Sequence, residues 1–244
     1  MKLLVVNPNT TAGMTARIGE AARAAANTGT QIVAVNPASG PASIEGYFDE
    51  AFAVPGMLEE IIKGDKAGVD ATVIACFDDT GLEAARCCAR GPVIGIGEAA
   101  FHLATLIAHR FSVVTTLSRS IAPIEANLVK YGLASRCARV RACEVPVLAL
   151  DDPASGAREK LSAEIDRAMA DDRAEAIVLG CAGMADLAAA LSRRHGLPVV
   201  DGVAAAVKLA ESLVGLGLAT SKLGPYARPL PKPFTGAFAG LSGR

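Results

Sequence analysis

The chain has 244 residues, enough for one large or two small domains with a substantial buried core, and a formal net charge of −1 at pH 7. That balance excludes a protein that collects nucleic acid or anionic lipid by electrostatics and points to a small neutral partner. Hydrophobic residues make up 51% of the chain but aromatics only 4%, with no tryptophan, a composition suited to close helix-on-sheet packing and poorly suited to an aromatic β-sandwich core.

Residues 3–6 form an apolar run closed by Asn7-Pro8-Asn9-Thr10, and a helical pattern then extends to about residue 26 with Thr10 or Thr11 as its N-cap. Asn7 and Pro8 interrupt the apolar start too early for an export signal, and no later run is long enough to span a membrane, so the cytoplasm is the expected location. Cys76, Cys87, Cys88, Cys137, Cys143 and Cys181 are accordingly expected as free thiols. Residues 32–35 read as a second strand and residues 38–46 as a loop rich in Gly, Ser and Pro. Residues 50–62 read as a helix that Pro55 and Gly56 should break or delay. A strand at 73–75, a helix at 81–89 and a strand at 93–96 complete a βαβαβαβ series, the rhythm of a parallel sheet with helices on both faces.

That rhythm restarts with a helix at 98–109, a strand at 111–115 and a helix capped by Ser118. Strands at 140–145, 176–180 and 198–200 follow, separated by helices at 153–170 and 186–194, and a last helix covers 203–216. From Lys222 four prolines punctuate an aperiodic tail carrying Tyr226, Phe234 and Phe238, expected to lie across the surface or on a neighbouring subunit of a homo-oligomer. The predicted class is α/β with two pseudo-symmetric lobes, each a parallel sheet flanked by helices, and an active site in the cleft between them. Lobe one spans residues 1–98, with residues 206–244 packing back on it, and lobe two spans residues 99–205.

The halves are related in sequence. Cys181 stands 105 positions after Cys76, and at that offset, without a gap, Val73 falls on Val178, Leu82 on Leu187, Gly91 on Gly196 and Gly97 on Gly202. Each half therefore delivers one cysteine to the carboxyl end of a buried parallel strand, where open α/β sheets place their ligands. One cysteine there is ordinarily a small buried hydrophobe. Two of them facing one cleft have the arrangement for two-base chemistry: one thiolate removes a proton from carbon and the opposite thiol returns one to the other face. Each is followed by a helical pattern whose unpaired amides would stabilise a thiolate or a developing oxyanion. Asp78 and Asp79 follow Cys76, while no acid follows Cys181 until Asp186, so Cys76 is expected to rest as the thiol and Cys181 as the thiolate. Asn7, Asn9 and Thr10 after the first strand of lobe one, and Thr115 and Thr116 after that of lobe two, are the ligand-facing polar positions, with helix capping as their other role.

Other signals are weaker. Gly95-Ile-Gly97-Glu-Ala-Ala100 spells a dinucleotide-binding fingerprint, but the acid expected about 20 residues on is missing, and close helix–sheet packing accounts for the glycines. Cys87 and Cys88 are adjacent, and His102, His109 and His195 are scattered, so no metal site is expected. No lysine sits at a strand end where pyridoxal phosphate would need one.

Five stretches together resemble the hydantoin racemases: Asn-Pro-Asn-Thr from Asn7, Gly-Tyr-Phe-Asp-Glu-Ala from Gly46, Ala-Cys-Phe-Asp-Asp-Thr-Gly from Ala75, Gly-Cys-Ala-Gly-Met from Gly180, and Tyr-Ala-Arg-Pro-Leu-Pro-Lys-Pro from Tyr226. The resemblance runs nearly the whole chain. It implies the aspartate/glutamate racemase superfamily fold, inversion without a cofactor, and Cys76 and Cys181 as the acid–base pair. It further implies that Asn9, Thr115, Thr116 and the segments around Phe77-Asp78 and Ala182-Gly183 hold the substrate ring, with Tyr47 on a covering loop. Relatives acting on free aspartate or glutamate carry Cys-Asn-Thr and Cys-Thr-His where this chain has Cys-Phe-Asp and Cys-Ala-Gly, which disfavours a zwitterionic amino acid and favours a neutral imide ring. The expected activity is racemisation of 5-monosubstituted hydantoins. Allantoin is the nearest alternative substrate, and a non-catalytic binding protein or a one-thiol decarboxylase of the same fold are the alternatives from other classes.

Overall fold

Apolar runs too short for helices and bounded by turn residues become the buried strands of two parallel sheets. The computed structural model describes residues 1–241. In the first sheet β1 (Lys2–Val6) lies between β2 (Gln31–Val35) and β3 (Ala71–Ile74), and β4 (Val93–Gly95) extends it, giving the order β2-β1-β3-β4. The second sheet repeats that order with β6 (Cys137–Ala142), β5 (Phe111–Thr115), β7 (Ala176–Leu179) and β8 (Val199–Val200). All pairings are parallel, with Val5 opposite Val73 in one sheet and Val113 opposite Val178 in the other.

Eight α-helices join the strands: α1 (Ala12–Ala25), α2 (Tyr47–Lys66), α3 (Leu82–Cys88), α4 (Ile96–Ile107), α5 (Ile121–Lys130), α6 (Ala157–Asp171), α7 (Ala188–His195) and α8 (Gly202–Gly215). The helix that ends the first half, α4, packs against β7 and β8 of the second sheet, while α8 packs against β3 and β4 of the first and against α1. One apolar core consequently runs through both halves, from Leu3 and Val5 through Phe101 and Phe111 to Val203 and Val207, and smaller cores lie under the outer helices. The tail returns to the first half, where Arg86 lies 5.6 Å from the Tyr226 ring centroid and Lys222 donates to the Arg86 carbonyl.

Three elements depart from the sequence pattern. Pro55 does not break α2, which runs unbroken and starts three residues earlier than expected. An interior proline costs about 3 kcal/mol. Met57 and Ile61 are fully buried against the sheet and recover roughly 1.5–3 kcal/mol each. Strand β6 lies three residues before its expected span, since Cys137 already pairs with Phe111 and Glu144 takes a left-handed φ of 52° that ends the extended run; within it Arg141 is buried, donating to Asp172 Oδ2 at 2.6 Å and to Glu164 Oε1 at 3.0 Å. A paired charge inside a strand hides the strand from a hydrophobicity pattern. After β5 a short 3-10 turn, Ser118–Ser120, precedes α5, and Ser118 makes no side-chain cap.

The two exchanged helices meet at Gly202, which the 105-residue offset pairs with Gly97. A Cβ on Gly202 would stand 2.6 Å from the Ile96 carbonyl oxygen at the start of α4. Gly202→Ala is therefore expected to lower stability by about 1–3 kcal/mol. That corresponds to a fall in Tm of roughly 2–4 °C for each kcal/mol in a chain of this size, read by thermal denaturation.

Candidate active site

Strands β3 and β7 each end two residues before a cysteine, and both cysteines open on the same cavity between the lobes. The cavity is about 40 Å³ and is lined by residues from both halves, among them Asn9, Cys76, Phe77, Asp78, Thr116, Cys181 and Ala182. Both thiols are free and only partly buried. The surroundings of the two sulfurs are matched: the backbone two residues on, Asp78 at Cys76 and Gly183 at Cys181, favours the thiolate in each case. At Cys181 that backbone belongs to a 3-10 helix, Ala182–Leu187. At Cys76 it belongs to a turn, since α3 starts only at Leu82, so the expected helix N-terminus behind Cys76 is replaced by turn amides.

Asp79 fixes that turn. Its backbone takes a left-handed φ of 51°, a region that aspartate tolerates better than most residues. The carboxylate reaches the start of α4, accepting from Gly97 N at 2.9 Å, Glu98 N at 2.8 Å and Tyr131 Oη at 2.7 Å. The fingerprint glycines thus cradle the chain's own carboxylate at a helix N-terminus, a place suited to anions. A Cβ at Gly97 would run into the Phe77 carbonyl oxygen and stand 2.9 Å from Asp79 Oδ2. Packing against the sheet alone, as the sequence suggested, does not account for these glycines. Asn127 Nδ2 adds a bond to the Asp78 carbonyl at 2.8 Å. Phe77 packs edge-on against Phe101 of α4, with centroids 5.3 Å apart.

The remaining sequence-predicted residues divide. Asn9 is buried, accepts from Thr11 N at 2.9 Å, and its Nδ2 has the Met14 sulfur as acceptor at 3.3 Å. Neither threonine hydroxyl caps α1; Thr10 and Thr11 donate instead to the carbonyls of Pro41 and Ala42, pinning the 36–46 loop. Thr115 stands behind the site, its hydroxyl donating to the Gly180 carbonyl at 2.9 Å, and Thr116 is the member of that pair that lines the cavity. Gly183 reaches Cys181 through its backbone and lines a neighbouring cavity with Leu150 and Asp186. Tyr47 opens α2 with 62% of its surface exposed and is absent from the lining; Ile44 covers the cavity in its place. Ile44, Ser120 and Val147 are lining residues that sequence reasoning missed, because they lie on irregular segments away from the strand ends.

Electrostatically the site is acidic and buried. Burial, with a contribution from Asp78, pushes Cys76 well above the ordinary thiol range, and burial pushes Cys181 up to about 12. Burial and the nearby Glu50 and Asp79 raise Asp78 to about 8. Elsewhere Ser162 Oγ lies 2.8 Å from His195 Nε2, whose Nδ1 lies 3.0 Å from Asp166, an order that mimics a hydrolytic triad. Ser162 is 1% exposed, so its hydroxyl is out of reach of a substrate.

Residues 3–210 match the family model described as Asp/Glu/Hydantoin racemase. A hydantoin racemase of Rhizobium meliloti is 53% identical over 236 residues, covering 97% of this chain and 98% of the relative. A hydantoin racemase of a Pseudomonas species is 50% identical over 238 residues, covering 97% and 95%. The solved structure of an allantoin racemase from Klebsiella pneumoniae superposes with a TM-score of 0.97 at 53% identity, covering 99% of each chain. Among the described residues no helix is long and apolar enough to cross a membrane.

Asp78, with Asp79 raised by burial to about 7 beside it, makes stability depend on pH. The Asp78 value in the folded chain, about 8, lies above its ordinary 3.8, so folding takes up a proton between those limits and stability falls as pH rises through them. Asp78→Asn, which cannot ionise, is expected to gain stability over the wild type by more at pH 8 than at pH 5, read as the shift in urea midpoint at each pH.

Proposed function

The chain belongs to the Asp/Glu/hydantoin racemase family, and on that premise we propose that it racemises 5-monosubstituted hydantoins by proton exchange at C5 between Cys76 and Cys181. As a member of that family it is an isomerase. The observation that carries the two-thiol reading is that the paired cysteines line one cavity from opposite lobes. In the forward step a thiolate takes the C5 proton and becomes a thiol, and the electron pair left on carbon delocalises onto the adjacent C4 carbonyl oxygen. The opposite thiol then delivers its proton to the other face of C5 and is left as the thiolate. Burial holds both sulfurs as thiols, against the expected resting thiolate on Cys181; Cys76 is raised the further of the two, so the charge that starts the forward step forms more readily on Cys181.

Polar groups suited to a neutral ring surround the pair. The Asn9 amide, held on one side by Met14, has donor capacity left for a ring carbonyl, and the Thr116 and Ser120 hydroxyls lie on the lobe-two side. Asp78, protonated at neutral pH, can donate to an oxyanion as well as accept from a ring N–H. Thr115 acts from behind, through Gly180. At about 40 Å³ the cavity is far below the roughly 300 Å³ from which small-molecule pockets begin, so the loop over it lifts for substrate to enter. The closing contacts are Ile44 on the cavity and Glu45 Oε1, which accepts from Val147 N of lobe two at 3.0 Å.

The allantoin racemase likeness favours a second substrate reading, because allantoin is a hydantoin carrying a ureido group at C5. Polarimetry of one enantiomer of 5-isopropylhydantoin, and separately of allantoin, tests both. Wild-type protein is expected to abolish the rotation of its substrate, and Cys76→Ser and Cys181→Ser each to slow the decay by about 10²–10⁴-fold. Either variant working within tenfold of wild type would contradict the two-thiol reading. Decay with allantoin alone would assign the chain to that substrate.

A further inference from the structure

Beyond the matched backbone, the two sulfurs differ in what surrounds them. Lobe one adds two side chains after Cys76: Asp78, buried and lining the cavity, and Thr80, 1% exposed. The Thr80 hydroxyl donates to Cys76 Sγ at 3.2 Å and makes no other hydrogen bond among the described residues. The 105-residue offset puts Gly183 and Ala185 in the corresponding places after Cys181, neither with a side-chain polar atom. The charged groups facing Cys76 are Asp78 on its own turn and Glu50 from α2, with Cys181 across the cavity; Asp79 is turned to α4. Cys181 likewise has two acids near it, Asp78 and Glu45, but no donor from a side chain.

We propose that Thr80 is a positioning residue for Cys76: its hydroxyl orients the sulfur and donates to the thiolate form, offsetting the acidic neighbours of Cys76 with a side-chain donor that Cys181 lacks. The inference rests on the two-thiol reading. Each turnover leaves the thiolate on the sulfur that began as the thiol, so both sulfurs carry charge in alternate forms of the free enzyme. An exchange that runs in both directions needs those two forms to be comparable in energy. A hydroxyl donor to a charged acceptor is among the stronger hydrogen bonds available for that purpose. Its proton has no competing acceptor here, which commits it to the sulfur.

The test is the rate of iodoacetamide alkylation from pH 6 to pH 10, followed peptide by peptide by mass spectrometry. Cys76 is read in the full chain carrying Cys181→Ser, and Cys181 in the chain carrying Cys76→Ser, each with Thr80, Thr80→Ser or Thr80→Val. Thr80→Val is expected to slow Cys76 alkylation at pH 8 about tenfold, equivalent to an upward shift of about one pH unit in its profile. Thr80→Ser is expected to restore the rate, and Cys181 to stay within about twofold throughout. An unchanged Cys76 profile in Thr80→Val, or an equal loss at both cysteines, would overturn the proposal. Should Thr80→Val fail to fold by circular dichroism, Thr80→Ala gives the same comparison. Racemisation that persists in both Cys→Ser proteins would remove the two-thiol reading by itself, while the alkylation profile still decides what the hydroxyl does.

Discussion

The position of Cys76 depends on one buried carboxylate. Helix α8 is capped by its own Asp201, which accepts from Val203 N at 3.0 Å and Ala204 N at 2.8 Å. Helix α4, the related helix of the other half, has Ile96 at the matching position, and the acid in its first turn, Glu98, is paired with Arg86. Asp79, three residues after Cys76, supplies the missing cap from a different loop. Because α4 packs on the second sheet, this bond ties the turn that carries lobe one's cysteine to the framework of lobe two. Tyr131 and Asn127, both on the lobe-two side of the chain, complete the tether. The distance between two groups that must work on opposite faces of one carbon is thereby set by a helix cap, a strong and directional interaction when buried.

That tether also explains the lopsided polarity of the cleft. A turn that must send one acid into α4 carries a second acid, Asp78, at the cavity, and Glu50 lies near enough to raise its affinity for protons. Lobe two, with Gly183 and Met184 in the corresponding places, has only backbone to offer. The result is a cleft in which a carboxyl group is neutral near physiological pH and nothing fixed and charged waits for an amino-acid carboxylate. A ring with carbonyl and N–H groups, by contrast, meets amides and hydroxyls on each side. Chemistry and exclusion of water are joined at the 36–46 loop, since the segment pinned by Thr10 and Thr11 is the one that seats Ile44 on the cavity.

Much of this was legible in the sequence because strand ends leave a sharp signal: an apolar run that stops, then turn residues. Cys76, Cys181, Asn9 and Thr116 all lie just past such stops, and all line the cavity. Thr115 and Thr116 could not be told apart, since which of two adjacent side chains turns inward depends on a twist that the sequence does not display. Ile44, Ser120 and Val147 were missed because irregular backbone has no period to read. The group that the fingerprint glycines hold, Asp79, stands 16 residues before Gly95, beyond the range of any local rule. Helix α2 departs from its pattern because tertiary burial of Met57 and Ile61 outweighs a local preference, and β6 because its start is set by pairing with β5, which the sequence does not display.

The claim on which the rest stands is that two different groups, one on each face of C5, handle the proton. Its most direct measurement is a reaction of one protiated hydantoin enantiomer in D2O, stopped at a few per cent conversion, with the enantiomers separated and the C5 isotope read by mass spectrometry. Two opposed thiols predict deuterium in nearly all of the product and almost none in the recovered substrate, because the face that loses a proton is not the face that gains one. Deuterium appearing in recovered substrate as fast as in product would mean that one group serves both faces, and would contradict the account.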